Sequence, residues 1–223
     1  MRRRNAFTLV ELLVVISVIG LLAGLSIPAI NQARAKADVA GGLSNLRQVG
    51  LALQSYASEN DGILPCLFSG QSPRYTQNST NSLGLYLWQY LGAPTPTSSW
   101  NEAKLLGSAP YFRKRKANDT VSLYLNYQVP VNNNTNFLVS PWGNPGSGAL
   151  PWRLTQLAEA GMSKTWAMVD VDKTLAASPP SPTKPFTGNS WVANLPDKPL
   201  FGNVRTFLYF DGSAKSVGLG ANP

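Results

Sequence analysis

The chain has 223 residues, with no histidine and a single cysteine, Cys66. Lacking histidine, it has no imidazole zinc site, no Ser-His-Asp triad and no Cys-His pair; one cysteine leaves neither an intramolecular disulfide nor a cysteine metal cluster. Charged residues are only 13% and sum to +8, while apolar residues reach 43%, a balance that fits an exported protein with a real core better than a cytosolic enzyme.

The chain opens on a basic head, Met1-Arg2-Arg3-Arg4-Asn5-Ala6. Residues 7–30 are then apolar apart from Thr8, Glu11, Ser17 and Ser26. A membrane-spanning helix needs about 20 largely apolar residues, and this segment supplies them. Arginines on its N-terminal side hold that end in the cytoplasm and send the rest of the chain outward. An ordinary anchor, or a secretory signal cut near Leu21-Leu22-Ala23, accounts for this much. Neither accounts for Glu11. A carboxylate inside a span costs about 2.5–3.5 kcal/mol on insertion scales, and a charge kept there calls for a compensating one. Cutting after Ala6 would create a free amine on Phe7, within reach of Glu11 of the same chain or of a neighbour staggered in a helix bundle.

The run Ala6-Phe7-Thr8-Leu9-Val10-Glu11-Leu12-Leu13-Val14-Val15-Ile16 closely resembles the cleavage and methylation segment of type IV prepilins and type II secretion pseudopilins. The resemblance implies that a prepilin peptidase cuts between Ala6 and Phe7 and methylates the new amine. It also implies that Phe7, Glu11 and Pro28 serve assembly, Pro28 standing where many members carry a helix-kinking proline. Ala6 departs from the family's usual glycine before the cut.

Beyond Pro28 the pattern turns amphipathic. Val39, Leu43, Leu46, Gly50, Leu53 and Ala57 recur at spacings of three and four, with polar residues between them, as one face of a helix requires. Gly41-Gly42 is expected to be a soft spot where the helix bends or melts locally, since each glycine costs about 1 kcal/mol against alanine. The helix should end at Glu59-Asn60-Asp61-Gly62, with Pro65 close behind; over residues 8–58 it would be about 76 Å long. The stretch from Asn45 to Tyr56, followed by Asn60-Asp61-Gly62-Ile63-Leu64-Pro65, is similar to long secretion protein G-like members of planctomycete and verrucomicrobial type.

In residues 59–223 turn-rich patches separate short elements. Residues 83–91 and 154–160 read as short helices, 120–129 and 166–171 as strands. Residues 204–210, Asp211-Gly212 and 213–217 read as a hairpin closed by a two-residue turn. The expected fold is α+β: one long N-terminal helix, half for the membrane and half amphipathic, packed on a small antiparallel sheet. Four regions follow: a leader over 1–6, a transmembrane and assembly helix over 7–30, its amphipathic continuation over 31–58, and a globular head over 59–223.

Few head residues suggest chemistry. The resemblance brings in calcium, which G-type pseudopilins hold in a C-terminal loop; Asp211, Asp197 and Asp172 are the weak candidates. A calcium site takes 6–8 oxygens, and these carboxylates are scattered, so no cofactor is expected and Asp211 reads as a turn residue. Asp170 and Asp172 are the best carboxylate pair for an enzyme, but they are expected to face apart, and no enzyme is expected. Arg113-Lys114-Arg115-Lys116 reads as a solvated loop run rather than a nucleic-acid site. The six tryptophans read as core and rim. Cys66 is open between burial and linking subunits.

The resemblance implies a structural pilin-like subunit, a pseudopilin of a type II secretion system or a subunit of a type IV pilus-like filament. The alternative is a minor pilin whose head binds secreted substrate, carbohydrate or DNA. Expected partners are the prepilin peptidase, other pilin or pseudopilin subunits and an inner-membrane assembly platform. The expected location is the bacterial inner membrane, single-pass with a periplasmic head, and then a filament in the periplasm or at the cell surface.

Overall fold

A computed structural model describes residues 9–115, 121–131, 134–158, 160–177, 190–221 and 223. The chain divides into two units, Met1–Ala37 and Asp38–Pro223. One helix, α1 (Leu9–Glu59), belongs to both. After it come β1 (Gly70–Gln71), β2 (Arg74–Tyr75), α2 (Leu83–Leu87), β3 (Asn101–Glu102), α3 (Ala109–Lys114), β4 (Leu123–Leu125), β5 (Val129–Val131), β6 (Asn134–Val139), α4 (Leu154–Ala158), β7 (Trp166–Asp170), α5 (Lys173–Ala177), β8 (Val204–Tyr209) and β9 (Ala214–Gly218). The expected α+β arrangement holds: the long N-terminal helix packs on a small antiparallel sheet of five strands, ordered β1-β4-β7-β8-β9.

α1 ends where Asn60-Asp61-Gly62 predicts. Asp61 turns into the left-handed region at φ 53°, and the Gly62 amide donates to the Ala57 carbonyl at 2.7 Å. That is the six-to-one bond of a Schellman cap. Within the second unit α1 buries Gly42, Leu46, Val49, Gly50, Ala52, Leu53 and Ala57, while Val39 and Leu43 pack at the margin. Removing Leu46, Val49 and Leu53 from water contributes about 1.5–3 kcal/mol each. The partners of this face include Leu67, Leu125, Met168, Leu208, Phe210 and the fully buried Trp142.

The helix is continuous through Gly41-Gly42, and the structure gives the pair a different meaning from a soft spot. A Cβ on Gly42 would stand 2.5 Å from Phe201 Cζ, and one on Gly50 would stand 2.9 Å from Leu208 Cδ1 and 3.2 Å from Gly212 Cα. These two glycines let the sheet and its last turn approach the helix backbone. Gly41 has nothing within 4 Å of its own Cβ position.

The sheet is covered on both faces. β4 and β7 are buried at every position. Their second face meets a separate cluster that includes Val121, Tyr124, Trp166, Val169, Phe207 and Tyr209, with Leu175 and Leu195 from the segments packed over it. Alternation is lost in such strands because both sides are apolar. The tryptophans divide as core and rim: Trp142 and Trp166 are buried, Trp88, Trp152 and Trp191 half-buried, and Trp100 is 71% exposed.

Several expected elements come out shorter or split. The helix expected over 83–91 stops at Leu87, and that over 154–160 stops at Ala158. The strand expected over 120–129 becomes β4 and β5, separated by residues 126–128; Thr120 lies outside the described residues. The Asn126 amide Nδ2 donates to the Trp166 carbonyl at 2.9 Å, its Oδ1 accepts from Gln128 N at 3.1 Å, and its carbonyl accepts from Trp142 Nε1 at 3.0 Å. This asparagine turn takes the chain out of the sheet after β4 and leads into the β5–β6 hairpin. The last hairpin forms as expected, but its turn has three residues, not two. Tyr209 N donates to Ser213 O at 2.8 Å and Gly212 N to Tyr209 O at 3.0 Å, with only Gly212 at positive φ, 83°. A type I turn followed by a left-handed glycine is the usual three-residue solution.

Seating through glycines predicts a contrast along one helix. Gly41→Ala should raise stability by about 0.5–1 kcal/mol, whereas Gly50→Val should lower it by about 1–3 kcal/mol by overpacking. Denaturation of the full chain in detergent micelles reads both; equal effects would contradict close approach at Gly50.

Candidate functional site

The first unit holds the candidate assembly site. Ala6 and Phe7, the two residues of the expected cut, lie outside the described residues. Glu11 sits in the first turn of α1 and is exposed. A carboxylate is favoured there by the positive end of the helix dipole. Every described residue from Leu9 to Ala37 is exposed. Large apolar side chains are displayed all along the first part, Leu9, Leu13, Ile16, Ile19, Leu25 and Ile30 among them. Among the described residues, α1 is the helix long and apolar enough to cross a membrane. The two serines of this stretch hide their hydroxyls on the helix itself: Ser17 Oγ donates to Leu13 O and Ser26 Oγ to Leu22 O, each at 2.7 Å. Pro28 lies inside the helix; its missing N–H leaves the Gly24 carbonyl without its helical donor.

The head's candidate residues are engaged elsewhere. Asp172 is buried and takes a two-pronged ion pair from Arg205, Nε to Oδ2 at 2.8 Å and Nη2 to Oδ1 at 3.1 Å. Its Oδ1 also accepts from Leu175 N at 2.9 Å, capping α5. Asp197 pairs with Lys173 at 2.7 Å. Asp211 accepts from Ser213 N at 2.8 Å inside the hairpin turn. Among the described residues no three histidine, cysteine or acidic side chains come together as a metal group would require.

The basic run is exposed at Arg113 and Lys114, as expected, but there it lies in a helix and is tied down rather than free in a loop. Arg113 and Lys114 lie in the last turn of α3. Arg113 pairs with Asp38 of α1 at 2.5 Å, Lys114 Nζ donates to Leu200 O at 3.1 Å, and Arg115 pairs with Glu102 at 2.6 Å. The Arg115 guanidinium also lies 5.0 Å from the Phe112 ring centre. The two arginines of Glu102, Arg115 first and Arg74 second, hold its carboxyl below the ordinary carboxylate range against the opposing effect of burial. Lys116 lies outside the described residues. Cys66 is a half-buried free thiol, and burial pushes its pKa up, so it is held as the less reactive thiol.

Sequence reasoning missed the part played by Asp170. It is 3% exposed, accepts at Oδ1 from Thr206 N at 2.5 Å and Thr206 Oγ1 at 2.9 Å, and among the described residues has no hydrogen-bond partner at Oδ2. It lines a small cavity under α1 together with Asn45, Ser108 and Ser122. Residues two apart in a regular strand share a face, but β7 ends at Asp170. The two carboxylates accordingly go to neighbouring residues of β8, Asp170 to Thr206 and Asp172 to Arg205. The signal available in the sequence was an aspartate closing an otherwise apolar strand. Burial, the largest cause, pushes Asp170 up to about 7 from 3.8; the Thr206 hydrogen bonds and Arg205 oppose the shift, and the Asp172 charge adds to it.

Residues 1–27 match a family model described as the prokaryotic N-terminal methylation motif. No curated protein and no solved structure matches the chain. The motif together with the long apolar helix fits a type IV prepilin-like protein. Such a motif supports a prepilin-type pilin or pseudopilin, a structural rather than a catalytic class.

A carboxyl raised in the fold stabilises it while protonated. That contribution is full below the unfolded value near 3.8 and is lost as pH rises through about 7. Asp170→Asn keeps the acceptor for Thr206 and removes the titration. The variant should lose less stability than the wild type between pH 4 and pH 7.5, measured by urea unfolding at each pH; parallel curves would contradict a buried, raised Asp170.

Proposed function

We propose that the chain is a structural pilin-like subunit of a filament of the type II secretion or type IV pilus kind. It would be held in the inner membrane by α1 with its N-terminus cytoplasmic and its head periplasmic, and then drawn into a filament by an inner-membrane assembly platform. A prepilin peptidase would cut between Ala6 and Phe7 and methylate the Phe7 amine.

The observation that carries the reading is the pairing of the matched motif with a helix whose first 29 described residues, from Leu9 to Ala37, bury nothing. A soluble head does not need such a segment; lipid or like helices do. Lipid tails are as apolar as leucine, so helices in this environment associate by packing and by polar contacts. Glu11 supplies the polar contact: its carboxylate neutralises the Phe7 amine of a neighbouring subunit, offsetting the about 2.5–3.5 kcal/mol of placing a charge in the span. That pairing sets the stagger of adjacent helices. Pro28 supplies local give in the helix, since its ring and missing donor weaken one turn.

A second reading, a minor subunit whose head binds a ligand, has one observation in its favour: an open basic cleft on the head, lined by Lys114, Lys198 and Arg205.

Intact-mass measurement on protein from host membranes tests the processing. The expected mature chain begins at Phe7 and carries one methyl group. Glu11→Ala should still be cut but should fail to accumulate in sheared filament fractions. A chain still starting at Met1 would contradict the filament reading, and a cut near Ala23 would make this a secreted protein.

A further inference from the structure

We propose that the cleft between the end of α3, the start of β8 and the C-terminal loop binds an organic phosphate or sulfate monoester. The cavity has a volume of about 690 Å³ and is lined by Lys114, Lys198, Arg205, Thr174, Asn203 and Leu219, among others. Among the described residues no acidic side chain is in that lining. This stands apart from the filament reading, because it rests on residues of the head alone.

The charge balance of the wall selects the ligand's sign. Arg205 is committed: Asp172, buried behind it, takes Nε and Nη2, and Thr174 Oγ1 accepts from Nη2 at 2.6 Å. That pair is close to neutral and fixes the planar guanidinium at the cleft wall. The two lysines carry the uncompensated charge. Lys114 Nζ is held by the neutral Leu200 carbonyl at 3.1 Å, and among the described residues neither Lys114 nor Lys198 enters an ion pair. An ammonium pinned by a carbonyl keeps its full charge and two further donors. Cations gathered in a concave, partly apolar wall focus the field toward the cleft, and oxyanions accept the short charge-assisted bonds that lysines offer.

Volume selects the body. A bare tetrahedral oxyanion fills a small part of such a space, and cavities of about 300–1,000 Å³ suit organic ligands. Pro199 and the 45% exposed Leu219 offer an apolar wall, while Asn203 offers a polar contact; the Thr174 hydroxyl is already spent between Arg205 and Asp172. A ring bearing hydroxyls and one ester oxyanion matches that mixture.

Calorimetric titration of the full chain in neutral detergent, at about physiological ionic strength, would use glucose 6-phosphate, inorganic phosphate and glucose as probes. Saturable binding of glucose 6-phosphate, weaker binding of inorganic phosphate and none of glucose are expected. Lys198 is exposed, so Lys198→Glu should fold normally and weaken glucose 6-phosphate by at least about tenfold. Lys164→Glu changes the net charge equally at an exposed site outside the cleft, and it should change affinity by less than about twofold. Equal losses in the two variants would mean a net-charge effect and overturn the site. Absence of saturable binding would overturn it as well, and inorganic phosphate binding as tightly as the ester would overturn the organic body.

Discussion

The close seating of α1 on the sheet is the constraint from which the rest of the head follows. Between Gly42 and Ala57 one helix face is wholly buried, and two of its positions must be glycine for Phe201, Leu208 and the Gly212 turn to come as near as they do. A larger residue at Gly50 would have to move a fully buried leucine and a turn backbone. The sheet cannot recede to make room, because its other face is filled by the Tyr124, Trp166 and Phe207 cluster. Close packing of this kind transmits a change at one face to the other.

Polar groups fasten the same arrangement. Asn45 of α1 donates to the Gly107 carbonyl at 3.0 Å, and Asp38 takes Arg113 at 2.5 Å. In a chain with so few charges, most of those described in the head have a structural task. Arg115 ties Glu102, Arg205 ties Asp172, and Lys173 ties Asp197. Exposed pairs such as the last contribute only about 0–1 kcal/mol. The Asp172 pair is different, since removing Arg205 would strand a buried carboxylate. Lys114 and Lys198 are among the described cations that enter no ion pair, and α1 leaves large apolar side chains exposed from Leu9 to Ile30.

Much of this was legible in the sequence because it rests on local chemistry. The end of α1 was fixed by Asn60-Asp61-Gly62, whose left-handed residues cap a helix. The β8–β9 hairpin followed from alternating β-formers around Asp211-Gly212. The apolar run with its one carboxylate at Glu11 marked the segment that matches the N-terminal methylation motif. What escaped depended on partners far along the chain. Nothing near Gly42 announces Phe201, and nothing near Arg113 announces Asp38. Asn126 looked like one residue of a strand, yet its side chain bonds to Trp166 and its carbonyl to Trp142, which breaks the strand in two. Asp170 looked like half of a carboxylate pair, but strand termination and Thr206 give it a buried, solitary role. The processing residues Ala6 and Phe7 were named from sequence alone and lie outside the described residues.

In the proposed filament the apolar stretch of α1 is covered by the same stretch of other subunits. A photo-activated cross-linker placed at Ile19, which is 59% exposed, tests it in membranes of the host. The account predicts adducts at the mass of two pilin-type subunits, growing into a ladder under conditions that induce the filament. Cross-links to lipid alone would contradict it.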